Sequence, residues 1–373
     1  MTRSDLCISG DSHIVEVPEI FDGLEQRFGD AAPSIVFEEG RGHLLKVGER
    51  VGFSIGRFGV AGAWVNDPQT QEMIKMGYEG LRPGILDPAR RLEDQDIDGV
   101  THEVLLPSVL FGIYGIENPE IVAATFQNYN DWVHNYASQG RDRLFATACI
   151  PLHDVELGIL ELRRAKHMGH VGANIPCVPP KDRPYSDPYY EPFWREAEEL
   201  DMPLVMHVLT SAQGMNMGLP DWGPIATYAL WPAAIANVIS DIICSGVTAR
   251  HPKLKFVPTE WETGWVGWFL QRLDWAMHRV PPSSLPPEIT QSPSYYFHKN
   301  FTVTFEDDLI GIMTREQIGV GNLMWGSDYP HHDSIFPRSQ QVLDDIFDGV
   351  SGEDRYAITV SNACKLYNLP IEY

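Results

Sequence analysis

Gly326-Ser327-Asp328-Tyr329-Pro330 and Gly10-Asp11-Ser12-His13 stand at opposite ends of this 373-residue chain. Each follows an apolar run that reads as a buried strand, Leu323–Gly326 and Leu6–Gly10. A third run, Pro203-Leu204-Val205-Met206, ends on His207. Three strand ends far apart in sequence thus offer Asp or His, the side chains that bind divalent metals. One site built from all three requires the first and last strands to be neighbours, which a closed barrel achieves.

From about Thr101 onward, strand-like and helix-like segments alternate. The strand candidates are His102–Pro107, Phe145–Pro151, Gly172–Val178, Pro203–Val208, Lys255–Thr259, Phe301–Phe305 and Leu323–Gly326, eight with Leu6–Gly10. Apolar residues at helical spacing mark Ile121–Ser138 and Val155–His167, the latter with Asp154 as N-cap and Gly169 past its end. Such alternation implies a parallel sheet, and eight units predict an α/β fold, a (β/α)8 barrel, in one domain over 1–373. The stretch from Phe21 to about Pro88 is too long for one crossover helix and rich in Gly. It reads as a cap inserted at about 22–88, between the first two strands and over the barrel mouth. Thr210-Ser211-Ala212-Gln213-Gly214-Met215 reads as a second loop at that mouth, and the five prolines of Pro281–Pro293 as an exposed connector.

The formal charge of −23 repels nucleic acid and anionic membranes, so neither is an expected partner. It also means that an anionic substrate needs a local cation. No apolar run approaches the length of about 18 residues that marks a membrane span. Met1-Thr2-Arg3-Ser4-Asp5 lacks the apolar core of a signal peptide. The five cysteines are scattered, with no C-x-x-C pair, and read as reduced thiols of a cytoplasmic protein.

In a strand, residues i and i+2 share a face, so Asp11 and His13 point together into the barrel. His207 and Asp328 complete a set of mixed carboxylate and imidazole donors suited to a divalent ion, which lowers the pKa of bound water. Each piece alone has a plainer reading. Asp-x-His occurs in surface turns, His207 could be a hydrogen-bonded core residue, and Asp328 could serve its own turn. Their joint occurrence in this strand order favours the metal.

Longer matching pieces run nearly end to end: Asp11-Ser12-His13, Tyr185-Ser186-Asp187-Pro188-Tyr189-Tyr190-Glu191-Pro192-Phe193-Trp194, Met202-Pro203-Leu204-Val205-Met206-His207, His251-Pro252-Lys253-Leu254-Lys255-Phe256 and Trp325-Gly326-Ser327-Asp328-Tyr329-Pro330. On these the chain resembles the amidohydrolase superfamily, in the branch of aminocarboxymuconate-semialdehyde decarboxylase and related aromatic acid decarboxylases. The resemblance implies a distorted TIM barrel and one divalent ion, usually zinc and sometimes manganese. It makes Asp11, His13 and His207 ligands, and Asp328 a ligand that also accepts a proton. There are two departures. The first motif is often His-x-His or Glu-x-His, whereas Asp11 has a shorter reach. The sixth strand usually carries a proton-handling His, whereas here Lys255-Phe256-Val257-Pro258-Thr259 leads to Glu260.

Glu260 can be a base, a further ligand or the ion-pair partner of an arginine. His332 is the candidate for the missing proton task and His331 for the substrate pocket, against a plainer reading as a solvated pair. Arg57, in Gly56-Arg57-Phe58-Gly59, is the candidate for the substrate carboxylate. His43, His102, His134, His153, His167, His170, His251, His278 and His298 read as structural. Trp261, Trp265, Trp268 and Trp275 form a stripe that reads as packing, between subunits if the protein is a homodimer. The resulting expectation is a metal-dependent lyase that removes carboxylate from a small aromatic or conjugated acid. The alternative is a metal-dependent hydrolase of an amide, ester or lactone. A non-catalytic binding protein is disfavoured because all four ligand positions are filled.

Overall fold

A computed structural model of the chain describes residues 6–64, 66–212, 217–219 and 223–373. Gln213, Gly214 and Met215 of the expected mouth loop, and Met1–Asp5, lie outside the described residues. The strands are β1 (Ile8–His13), β2 (Pro33–Glu38), β3 (Gly42–Val47), β4 (Arg50–Ser54), β5 (His102–Leu106), β6 (Leu144–Cys149), β7 (Gly172–Asn174), β8 (Leu204–His207), β9 (Phe256–Thr259), β10 (Val303–Phe305) and β11 (Leu323–Trp325).

Six of them form one parallel sheet in the order β1-β5-β6-β7-β8-β9, and β10 pairs with β11 in parallel. Every residue of β1, β8 and β9 is buried, as in parallel sheets covered on both faces. The sheet is curled, and the β10–β11 pair is tied at both sides. Thr302 N–H donates to Phe256 O of β9 (3.0 Å). On the other side, Asp328 N–H donates to Asp11 O (2.9 Å) and His13 N–H to Tyr329 O (2.6 Å). Pairing of Ser12 and His13 with Leu105 and Leu106 of β5, together with these last bonds, carries β1 to His13 instead of stopping at Gly10 as the apolar run suggested. Backbone pairing continues through the motif, with a register shift between Ser9 and Ser12.

Helices alternate with these strands. Asp154 caps Val155–Met168 through Glu156 N–H and Leu157 N–H, and Gly169 ends it in the left-handed region. By length and composition alone, helix Pro224–Cys244 could cross a membrane, although Thr227, Asn237, Ser240 and Asp241 interrupt its apolar residues. Its second half, with Ile235, Val238, Ile239, Ile242 and Ile243, is buried in the core, whereas Ile225, Tyr228 and Leu230 of its first half are exposed. The tryptophan stripe divides. Trp261 is buried and donates to Met206 O (2.9 Å), whereas Trp268 and Trp275 are exposed, the latter flanked by Arg272 and Arg279.

The segment between β1 and β5 is ordered by its own antiparallel sheet, β2-β3-β4. It meets the loop after β11 through Ala61 N–H to Pro330 O (2.8 Å) and Gly62 N–H to His331 O (3.0 Å). Behind β1, Arg91 is fully buried. It pairs with Glu103 (2.7 Å) and donates to His13 O (2.7 Å), so one guanidinium braces the strand that carries the first motif.

Gly326 sets the distance between β11 and β1. A Cβ there would sit 2.3 Å from Asp11 Cβ and 3.1 Å from its backbone N and Cα. Gly326→Ala is therefore expected to destabilise the fold by about 1–3 kcal/mol, read from urea unfolding. An unchanged midpoint would mean that the two strands can separate freely.

Candidate metal centre

Asp11 and His13 from β1, His207 from the end of β8 and Asp328 from the turn after β11 meet at one end of the sheet. His13 Nε2 is 3.3 Å from Asp11 Oδ1, 3.2 Å from Asp328 Oδ1 and 3.0 Å from His207 Nε2. His207 Nε2 is 3.7 Å from Asp11 Oδ1 and 2.9 Å from Glu260 Oε2. His331 Nδ1 lies 2.8 Å from Asp328 Oδ1, and its ring stacks on His13 at 3.9 Å. Asp11, His13, His207 and Asp328 are all at most 1% exposed.

The backbone decides which ring nitrogens face the centre. His13 Nδ1 meets Pro107 O (2.6 Å) and His207 Nδ1 meets Val208 O (2.8 Å). A carbonyl only accepts, so both Nδ1 atoms carry the proton. In the neutral rings, two Nε2 lone pairs then face each other at 3.0 Å. Asp11 Oδ1 and both carboxylate oxygens of Asp328 are buried and accept no well-aligned hydrogen bond. A cluster of lone pairs without donors is what a cation satisfies, and its mixed imidazole and carboxylate character fits zinc or manganese.

The electrostatics agree. Burial, then the field of Glu260, pushes Asp11 up to about 7, although His207 opposes this. Asp328 is held well above the usual carboxylate range by burial and then by Glu260, Glu306 and Asp333. Glu260 is raised by burial and Asp333. Burial holds His13 and His331 well below the usual imidazole range, with His207 adding to it in both. Acids made reluctant to ionise beside imidazoles made reluctant to protonate share one cause, dehydration without a counter-charge. A bound divalent ion reverses that logic. Glu260 and Asp328 also sit at positive φ (61° and 53°), where non-glycine residues are uncommon and cluster at functional sites.

A cavity of about 260 Å³ opens beside these groups. Arg57, Phe58, Phe111, Leu209, Tyr228, Trp231, Glu260, His331, His332 and Asp333 line it together with His207. The two neighbouring histidines differ. His331 is buried against Asp328, whereas His332 is one-third exposed and lies 3.4 Å from Asp333. Arg57 is on the cavity wall, brought there by the segment before β5.

Several groups had no signal in the sequence. Phe111 stacks on His207 (4.5 Å). Thr304 donates to Asp11 Oδ2 (3.2 Å) and accepts from Glu260 N–H (2.9 Å). Tyr228 and Trp231 come from a helix whose apolar pattern suggests only packing.

Known proteins agree with this architecture. The gamma-resorcylate decarboxylase of Rhodococcus jostii is 28% identical over 259 residues, covering 64% of this chain and 75% of that protein. An amidohydrolase from Mycobacterium avium subsp. paratuberculosis superposes with a TM-score of 0.73 at 21% identity, covering 97% of this chain and 99% of the other. The dihydroxybenzoic acid decarboxylase of a Polaromonas species, solved with bound manganese and the inhibitor 2-nitroresorcinol, gives a TM-score of 0.69 at 18% identity over 98% of both chains. The amidohydrolase family model matches residues 28–369, nearly the whole chain, and the protein belongs to that family.

Proposed function

We propose that this enzyme removes carbon dioxide from a small aromatic acid, using one divalent ion held by Asp11, His13, His207 and Asp328. The observation that carries the metal is the facing pair of Nε2 atoms, with both Nδ1 protons committed to carbonyls. The reaction class is supported by relatives and structural neighbours that are decarboxylases of hydroxylated benzoic acids. Zinc and manganese both suit the donors, and the manganese of the Polaromonas enzyme favours that ion.

When bound, the ion supplies Lewis-acid polarisation of the substrate's oxygens. The other tasks fall to side chains. Phe58, Phe111, Tyr228 and Trp231 give a flat ring its walls. Arg57 offers the carboxylate a cation within a chain of net charge −23. As the carbon–carbon bond breaks, its electron pair stays on the ring carbon. That carbon takes a proton from the buried Asp328–His331 pair, and carbon dioxide leaves neutral. His332, at the rim beside Asp333, serves the mouth of the pocket. Glu260 instead of a sixth-strand His favours the hydrolytic alternative, because a carboxylate accepts a water proton more readily than it supplies one.

The proposed frame is a distorted (β/α)8 barrel in one domain, with 22–88 as a cap that delivers Arg57. The backbone bonds at both sides of β10–β11 support closure. The exposed rings of Trp268, Trp275 and Tyr295 support a homodimer. Five free cysteines, most of them buried, support a cytoplasmic location.

Two measurements test this reading. Protein grown in metal-replete medium is expected to carry about one equivalent of zinc or manganese by elemental analysis. Under a tenth of that, again about, would remove the metal from the reading. Asp328→Asn is expected to keep native circular dichroism while carbon dioxide release from a hydroxybenzoate panel falls at least ~100-fold. Full activity in that variant would refute its role, and release of an amine or alcohol without carbon dioxide would favour hydrolysis.

A further inference from the structure

The segment that follows β5, residues 107–111, touches three of the histidines around the centre, each in a different way. Pro107 O accepts from His13 Nδ1 (2.6 Å). Ser108 Oγ contacts His331 Nε2 (2.9 Å). The Phe111 ring lies on His207 at 4.5 Å and 26°. This segment is fastened by one carboxylate. Glu16, fully buried, accepts from the N–H groups of Ser108 (2.8 Å), Val109 (3.0 Å) and Leu110 (3.2 Å). Glu16 touches neither the cavity nor the ligand atoms, so the reaction itself gives it no task.

The Ser108 contact fixes a proton. The hydroxyl has one hydrogen, and it goes to Ile14 O (2.7 Å), which can only accept. Ser108 Oγ must then accept from His331, so His331 Nε2 carries its hydrogen. The nitrogen left to exchange protons is Nδ1, the one 2.8 Å from Asp328 Oδ1. We infer that Ser108 and Glu16 are positioning residues, and that the Glu16-pinned 107–111 segment sets the ring orientation and tautomer of His331 while bracing His13 and His207. This rests on the proposed proton role of His331, but the tautomer itself is independent of which reaction the enzyme performs.

The test uses the full-length, zinc-loaded protein with ¹⁵N-labelled histidine. Long-range ¹H–¹⁵N spectra report the tautomer of each ring, and His331→Gln assigns the His331 signals. In the wild type, His331 is expected as the Nε2–H form. In Ser108→Ala that preference should be lost, with kcat down roughly 10- to 100-fold, the range for outer partners of a metal site, while KM and metal content hold. Ser108→Thr, which keeps the hydroxyl, should restore both readouts. Glu16→Gln, which cannot accept from all three N–H groups, should shift the His331 and His207 signals together.

A wild-type His331 in the Nδ1–H form overturns the inference without any variant, as does Ser108→Ala with an unchanged His331 spectrum and unchanged kcat. Loss of metal or a KM effect alone in Ser108→Ala would overturn it too, marking a merely structural role. If no substrate on the panel reacts, the reaction assignment fails, and the tautomer spectra still decide this inference.

Discussion

Two imidazole lone pairs, Asp11 Oδ1 and both carboxylate oxygens of Asp328, all buried and none offered a well-aligned donor, face one another where the strands end. The rest of the molecule is arranged around holding them there. Such groups repel, and nothing local keeps them together, so the closeness comes from backbone. Bonds from the Asp328 and His13 amides tie the last strand's turn to the first strand. Gly326 lets the chains touch, and Arg91 holds the His13 carbonyl from behind. The site is preassembled by backbone contacts outside it, and under the proposed reading a divalent ion would stabilise the native state as well as serve the reaction.

Charge sharpens the point. The chain is strongly acidic, and Glu260, Glu306 and Asp333 all raise the proton affinity of Asp328. A pocket with this field would reject an anionic substrate. Under the proposed reading, the ion and Arg57 reverse the field over a few ångströms. Carbon dioxide carries no charge, so neither the ion nor the acidic surroundings hold it electrostatically.

The strand ends were legible because buried parallel strands are near-continuous apolar runs and the site residues follow them directly. His207 and Asp328 come out of that pattern. The limit of β1 did not, because Ser9, Gly10 and Asp11 are polar or small, and Asp11 and His13 are held by backbone bonds to a turn more than three hundred residues away. The antiparallel sheet before β5 was visible only as an ordered insertion. The neighbouring histidines, His331 and His332, are indistinguishable in sequence. Burial separates them, and burial depends on Phe58 and Ser108 from other segments. Glu16 was invisible for the same reason, since its contacts span 92 to 94 residues and follow no periodicity.

Glu260 shows how one substitution moves a task across the site. At a strand end where relatives of this branch are expected to carry a proton-handling His, a carboxylate stands 2.9 Å from His207 Nε2. Burial and the nearby Asp333 make this carboxyl reluctant to ionise, so its place beside the ligands adds to the demand for a cation. Within 4.8 Å of Glu260, in the same cluster of donor atoms, stands His331, stacked on His13, touching Asp328 and in contact with Ser108. Under the proposed reading, the proton task that a sixth-strand His would carry falls to His331 within that cluster. An imidazole held there can quench the electron pair left on the ring carbon with a proton once carbon dioxide has departed, which is the one task a decarboxylase of this kind cannot leave to its metal.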